Sequence, residues 1–245
     1  MTKYIQRHSG LARLTHGVVA ISCIVLTITG LFVFIPAANN WAGAEFAIAM
    51  RWTHRIFAIP FILFPILAVL ISPKGFGHLM GSSIFGKWGK DDFIFAGKFV
   101  PYLFMAKKIH MPPQDEVKGA QRIADGALLF SCVFMAISGM ILWLNTGLLP
   151  GGEWKVAFSA DTLMAARLVH DIFFFLIAVI GLAHIYLGAG IFQPYRGTAR
   201  LMFGDGKVSE SDAAYHWGYW ARNEIKSGKN VTVELDNAEI KSTKA

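Results

Sequence analysis

Charge is what this sequence has least of. Only 16% of its 245 residues are Asp, Glu, Lys or Arg, against about a quarter in a typical soluble domain. That shortage, beside 54% hydrophobic residues, excludes an ordinary soluble globular protein. Cysteine is nearly missing. Cys23 and Cys132 stand inside apolar stretches with neither disulfide nor zinc spacing, so both read as small core residues. Acidic residues are missing ahead of the first apolar stretch, where Lys3, Arg7 and Arg13 stand unopposed. Internal repeats are also missing, which counts against a carrier built from repeated halves.

What is present is four long apolar runs, at about residues 14–36, 49–72, 123–148 and 163–192. A membrane-spanning helix needs about 20 such residues. In lipid every backbone polar group must pair within its own segment, so each run is expected to be a helix. The fold class expected is therefore all-α and integral to the membrane, a bundle of four transmembrane helices within residues 1–200, followed by a polar tail at 201–245. The first run is too long for a secretory signal, whose apolar part spans about 7–15 residues.

The net charge of +7 is arranged as a topology signal. Basic residues crowd three segments: the N-terminus, residues 73–122 (Lys74, Lys87, Lys90, Lys98, Lys107, Lys108, Lys118, Arg122) and the tail (Arg196, Arg200, Lys207). With four spans these segments share one side, the cytoplasmic side, and both termini fall there. The same distribution argues against a nucleic-acid partner. Residues 37–48 and 149–162 are expected to be outer loops, the second turning at Pro150-Gly151-Gly152. Residues 73–122 mix lysines with Phe93, Phe95, Phe99, Tyr102 and Phe104, a composition suited to a short helix in the membrane interface. The last fifteen or so residues read as disordered.

Histidine supplies the chemistry. Eight are present, and four lie within or at the ends of the runs: His16, His54, His170 and His184. Ionisable groups in spans are costly and mark function. Residues 170 and 184 are fourteen apart, which is nearly four helical turns, so both face one side, separated by roughly 21 Å along the axis. The second helix offers His54 at the height of His170, and the first offers His16 at the height of His184. Two depth-matched pairs of imidazoles on facing helices suit axial ligation of haem iron. Without a C-x-x-C-H sequence, two b-type haems fit better than c-type. Arg13 near His16, and Arg55 and Arg167 near the other pair, are candidates for haem propionates or for ordinary boundary anchoring. Gly17, Gly30 and Gly181 would admit a flat macrocycle or close helix packing alike. His110, ahead of Met111-Pro112-Pro113, is a candidate for a quinone carbonyl or proton relay. Asp125 and Asp171 are candidate proton-path or helix-end carboxylates. His8, His78 and His216 read as surface residues.

These residues resemble the gamma subunit, cytochrome b, of membrane-bound formate dehydrogenase, within the wider family of four-helix dihaem cytochromes b. The resemblance rests on RLTHGVV at residues 13–19, MRWTHRIF at 50–57, the H-x13-H spacing of the fourth helix, and GKVSESDAAYHWGYW at 206–220. It implies a bacterial inner-membrane subunit of a complex that is open to higher oligomers. An iron–sulfur beta subunit and a molybdenum or tungsten pterin alpha subunit would be its partners, with formate chemistry on the latter. Electrons would enter at the outer haem of His54 and His170, cross to the inner haem of His16 and His184, and reduce quinone beside His184. The family's quinone motif, N-x-G-Q-K, corresponds to Lys118-Gly119-Ala120-Gln121-Arg122. Gln121 and the basic Arg122 match it, while Lys118 and Ala120 depart from it. His216-Trp217 likewise replaces two histidines and a proline. The histidine pattern is shared with the cytochrome b subunits of hydrogenases, so a hydrogenase or a thiosulfate-type reductase is the alternative partner. A histidine-lined proton channel or transporter, and a haem-free anchor, are the rivals from other classes.

Overall fold

The computed structural model describes residues 2–149, 151–195 and 198–234. Strand β1 (Thr2–Gln6) leads into α1 (Gly10–Phe34), the short α2 (Pro36–Ala42) and α3 (Ala44–Ile71). Then come α4 (Pro73–His78), a turn of π-helix at Leu79–Ile84, α5 (Lys90–Met105), α6 (Gly119–Thr146) and α7 (Ala160–Gly188). A 3-10 turn at Gln193–Tyr195 is followed by α8 (Arg200–Phe203), β2 (Lys207–Ser209), α9 (Glu210–His216), α10 (Gly218–Ser227) and β3 (Val231–Glu234).

The four long helices α1, α3, α6 and α7 are each apolar and long enough to cross a membrane. Their apolar windows are only 6–11% buried within the protein, so most of their large side chains are left to contact lipid, a solvent as apolar as they are. Each helix begins about one turn before its apolar run, and polar caps start α1, α6 and α7. Ser9 accepts from the Ala12 amide at 3.2 Å. Ser159 does the same for Thr162 at 3.2 Å, and the Gln114 side chain accepts from Gly119 N at 3.1 Å. Such caps satisfy backbone donors that have no partner inside the helix. Helix α7 stops at Gly188 rather than near residue 192, because the chain turns through Gly190 at φ 70°, a conformation open mainly to glycine.

The chain divides into two compact units. One contains residues 15–71 and 126–183, the bodies of the four long helices together with α2. Aromatic rings link its helices. Phe134 stacks on Phe173 with centroids 4.5 Å apart, and Phe34 meets Phe174 at 6.5 Å and Phe175 at 5.8 Å. These contacts tie α1 and α6 to α7 within the four-helix bundle.

The other unit contains residues 1–14, 72–125 and 184–245. The expected tail is in fact built together with the N-terminus. Strand β1 is the centre of an antiparallel sheet ordered β2-β1-β3, with Tyr4 opposite Ser209 and Thr2 opposite Glu234. Ile5, Leu201, Val208, Ala213, Trp217, Trp220 and Ala221 form its core. Residues 231–234, expected to be disordered, are strand β3; residues 235–245 lie outside the described residues, as do Arg196 and Pro150. The expected outer loop at 37–48 is mostly helical, with Gly43 at φ 86° turning α2 into α3. The expected interfacial helix corresponds to α5, whose Phe95 and Tyr102 are buried.

Candidate functional site

In the bundle, α3 carries His54 and α7 carries His170, and their rings lie close together, edge to face. The centroids are 6.4 Å apart and the planes cross at 64°. Each imidazole is held from behind by a hydroxyl on a neighbouring helix. His54 Nδ1 is 2.9 Å from Thr29 Oγ1 on α1. His170 Nδ1 is 3.0 Å from Ser138 Oγ on α6. A glycine follows each hydroxyl. A Cβ at Gly30 would meet His54 Cε1 at 3.4 Å, and one at Gly139 would meet His170 Cε1 at 3.2 Å. Gly17 and Gly181 face open space within 4 Å, so close helix packing is not what requires glycine there.

The pair opens onto a cavity of about 550 Å³, within the range of cofactor sites. Its lining is mostly apolar, with Arg51, Arg55 and Arg167 on the wall. Arg55 donates from Nη2 to Thr146 Oγ1 at 2.8 Å and lies over the Trp52 ring at 4.7 Å. Trp143 also lines the cavity, and its buried indole N–H has no hydrogen-bond partner among the described residues. A buried donor without a partner costs about 1–3 kcal/mol, so the wall is suited to an acceptor that the protein itself does not supply. Sequence reasoning named His54, His170, Arg55, Arg167 and Gly30. It missed Arg51, Trp143, Thr29, Ser138 and Gly139. The recurring Thr-Gly and Ser-Gly dipeptides were the available signal.

The other candidates lie elsewhere. His16 is half-buried in the second turn of α1. Arg13 donates to the Gly204 carbonyl, which ties that guanidinium to the chain after α8. In the second unit, His184 Nδ1 is 3.9 Å from Asp125 Oδ1, and the Gln121 amide donates to Asp125 Oδ2 at 3.0 Å. Residues 118, 121 and 125 follow at helical spacing, so Lys118, Gln121 and Asp125 mark one side of the start of α6.

Lys118 is only 4% exposed. Its Nζ is 3.3 Å from His216 Nδ1 and 3.9 Å above the Tyr195 ring. Burial holds its amine well below the usual lysine range, and the charge of Arg7 lowers it further. His216, expected on the surface, is instead buried at 6% exposure and packed on Tyr195 with centroids 5.2 Å apart. Burial, then the charges of Lys118 and Arg7, depress its pKa to about 3. Arg7 lies over Trp217 at 3.9 Å and Trp220 at 4.8 Å and donates to the Glu116 carbonyl. Arg122 is buried, and its Nε and Nη1 lack partners among the described residues. Ala120 is half-buried. His110 is exposed; its carbonyl accepts from Lys98 at 3.4 Å. His78 is exposed and pairs with Glu116 at 3.0 Å.

Residues 7–205 match the family model of prokaryotic cytochrome b561. No curated protein matches the chain.

Proposed function

The chain belongs to the prokaryotic cytochrome b561 family, and from that premise we propose that it is the dihaem cytochrome b subunit of a formate dehydrogenase complex. Family membership carries the coarser statement: this is a membrane protein that binds b-type haem and transfers electrons.

The residues of the bundle fit that group. The 6.4 Å between the His54 and His170 centroids would admit an iron held by one nitrogen of each ring. The cavity beside the rings is apolar along its body and basic at Arg51, Arg55 and Arg167, as a flat apolar group with carboxylate arms requires. When bound, haem supplies a one-electron carrier whose potential the axial ligands set. His54 and His170 would hold its iron. The arginines would hold its propionates by charge-assisted hydrogen bonds, and the phenylalanines would exclude water.

The rest of the reading extends this site. His16 and His184 are proposed as the ligands of a second b-type haem. Lys118, Ala120, Gln121, Arg122 and His110, with His184, are proposed to surround the quinone that takes up the electrons. An iron–sulfur subunit and a molybdenum or tungsten pterin subunit are the proposed partners. The inner membrane, with both termini in the cytoplasm, is the proposed location.

The close approach of the His54 and His170 rings carries this reading. A reduced-minus-oxidised spectrum of the purified chain should show b-type bands, and a flat spectrum defeats it. His54→Ala or His170→Ala should each remove one haem per chain, and His16→Ala or His184→Ala the other. Purifying the native complex and identifying its large subunit separates formate dehydrogenase from a hydrogenase or a thiosulfate-type reductase.

A further inference from the structure

The two hydroxyls behind the histidines have a direction that hydrogen-bond bookkeeping fixes. A Thr or Ser hydroxyl has one proton and two lone pairs. Thr29 Oγ1 lies 2.7 Å from the Val25 carbonyl, four residues back on the same helix, and Ser138 Oγ lies 2.7 Å from the Phe134 carbonyl. A carbonyl cannot donate. At that distance the hydroxyl proton must point at the carbonyl oxygen, or two lone pairs would face each other. Each hydroxyl is therefore left with acceptor capacity only. The imidazole nitrogen beside it, at 2.9 Å for His54 and 3.0 Å for His170, must bring the proton.

We propose that Thr29 and Ser138 are positioning residues that lock His54 and His170 in the Nδ1–H tautomer, with each Nε2 lone pair left for iron. The inference rests on the haem reading of this site. The two halves are built alike. A hydroxyl and a glycine are adjacent on one helix, and the histidine they hold is on the next long helix. Both hydroxyl residues are buried, Thr29 at 3% and Ser138 at 2% exposure, so water does not compete for the imidazole N–H. The glycines leave the room in which each ring approaches its hydroxyl. An acceptor on the far nitrogen fixes ring orientation and raises the basicity of the ligating one. Here both side-chain acceptors are neutral hydroxyls rather than carboxylates, so the ligands are only mildly enriched in electron density; the Leu26 backbone also bonds to His54.

The test uses the full chain with its haems. Thr29→Val and Ser138→Ala should each raise the same one of the two midpoint potentials, because a less basic ligand stabilises ferric iron less, and should leave the other unmoved. The double variant should raise that potential further. Thr29→Ser should retain the native potential and the native low-spin electron paramagnetic resonance signature. In haem-free protein, isotope-edited nitrogen NMR should find His54 and His170 as Nδ1–H tautomers, and Thr29→Val should release the first. If Thr29→Val loses haem while Thr29→Ser keeps it, the hydroxyl is needed as proposed. Unmoved potentials at full haem content, shifts in two different potentials, or equal haem loss in Thr29→Ser would overturn the proposal. A wild-type chain that never shows b-type bands would instead defeat the haem reading itself.

Discussion

At His216 the charge state of a single ring couples folding to acidity. The imidazole is buried among Lys118, Arg7, Tyr195 and Tyr215, and its pKa falls from 6.5 to about 3. Between those values the unfolded chain binds a proton that the folded chain refuses, so acidification favours unfolding. Stability contributed by the neutral ring is present above pH 6.5 and is lost progressively as pH falls toward about 3. Unfolding midpoints measured across that window should decline with acid, and His216→Phe should flatten the decline. An unchanged slope in the variant would refute this account. The sequence disguised His216, because a histidine in a polar stretch looks like a surface group. His54 and His170 were legible for the opposite reason, since each is a conspicuous ionisable side chain in an apolar run. Thr29 and Ser138 were harder to read: a hydroxyl in a membrane helix ordinarily satisfies itself on its own i−4 carbonyl, and only the glycine after each hints at a second partner.

Elements show the same division. The spanning helices could be read because lipid demands a long uninterrupted apolar run, and only their ends were misjudged, by about a turn, at the polar caps of α1, α6 and α7 and at the Gly190 turn. The start of α6 illustrates a cause that no run reveals. A Cβ on Gly119 would collide with the Asp92 backbone carbonyl in α5, so the two elements approach closely only because this residue is glycine. Gly119→Ala should destabilise this unit by about 1–3 kcal/mol, as overpacking does. A thermal unfolding scan in detergent checks it, and a variant as stable as the parent would contradict it. Just before α6 stands Lys118, and the structure sets it against His216 and Trp217. Residues far apart in sequence are thus one local arrangement.

At the scale of the whole molecule, the sequence conveyed the membrane class and the four-helix plan but not the sheet. Its strands are short, at five, three and four residues, and β1 finds its partners more than 200 positions downstream. Local pattern cannot signal such pairing. Ile5 on β1 is fully buried at 0% exposure, in contact with the tryptophan core. Ile5→Ala should cost about 2–5 kcal/mol, the range for truncating a buried aliphatic side chain. Trp217 and Trp220 should report the loss as an earlier fluorescence transition in denaturant, and an unshifted transition would count against β1 as the keystone of this unit.

That central strand also bridges distant parts of the chain. In chain order β1 precedes all four spanning helices, and both of its neighbours follow them. Without those neighbours its amides and its apolar Ile5 lack a mate, and the sheet has no way to close. Closing this small sheet therefore ties together stretches of chain that lie on either side of all four spanning helices.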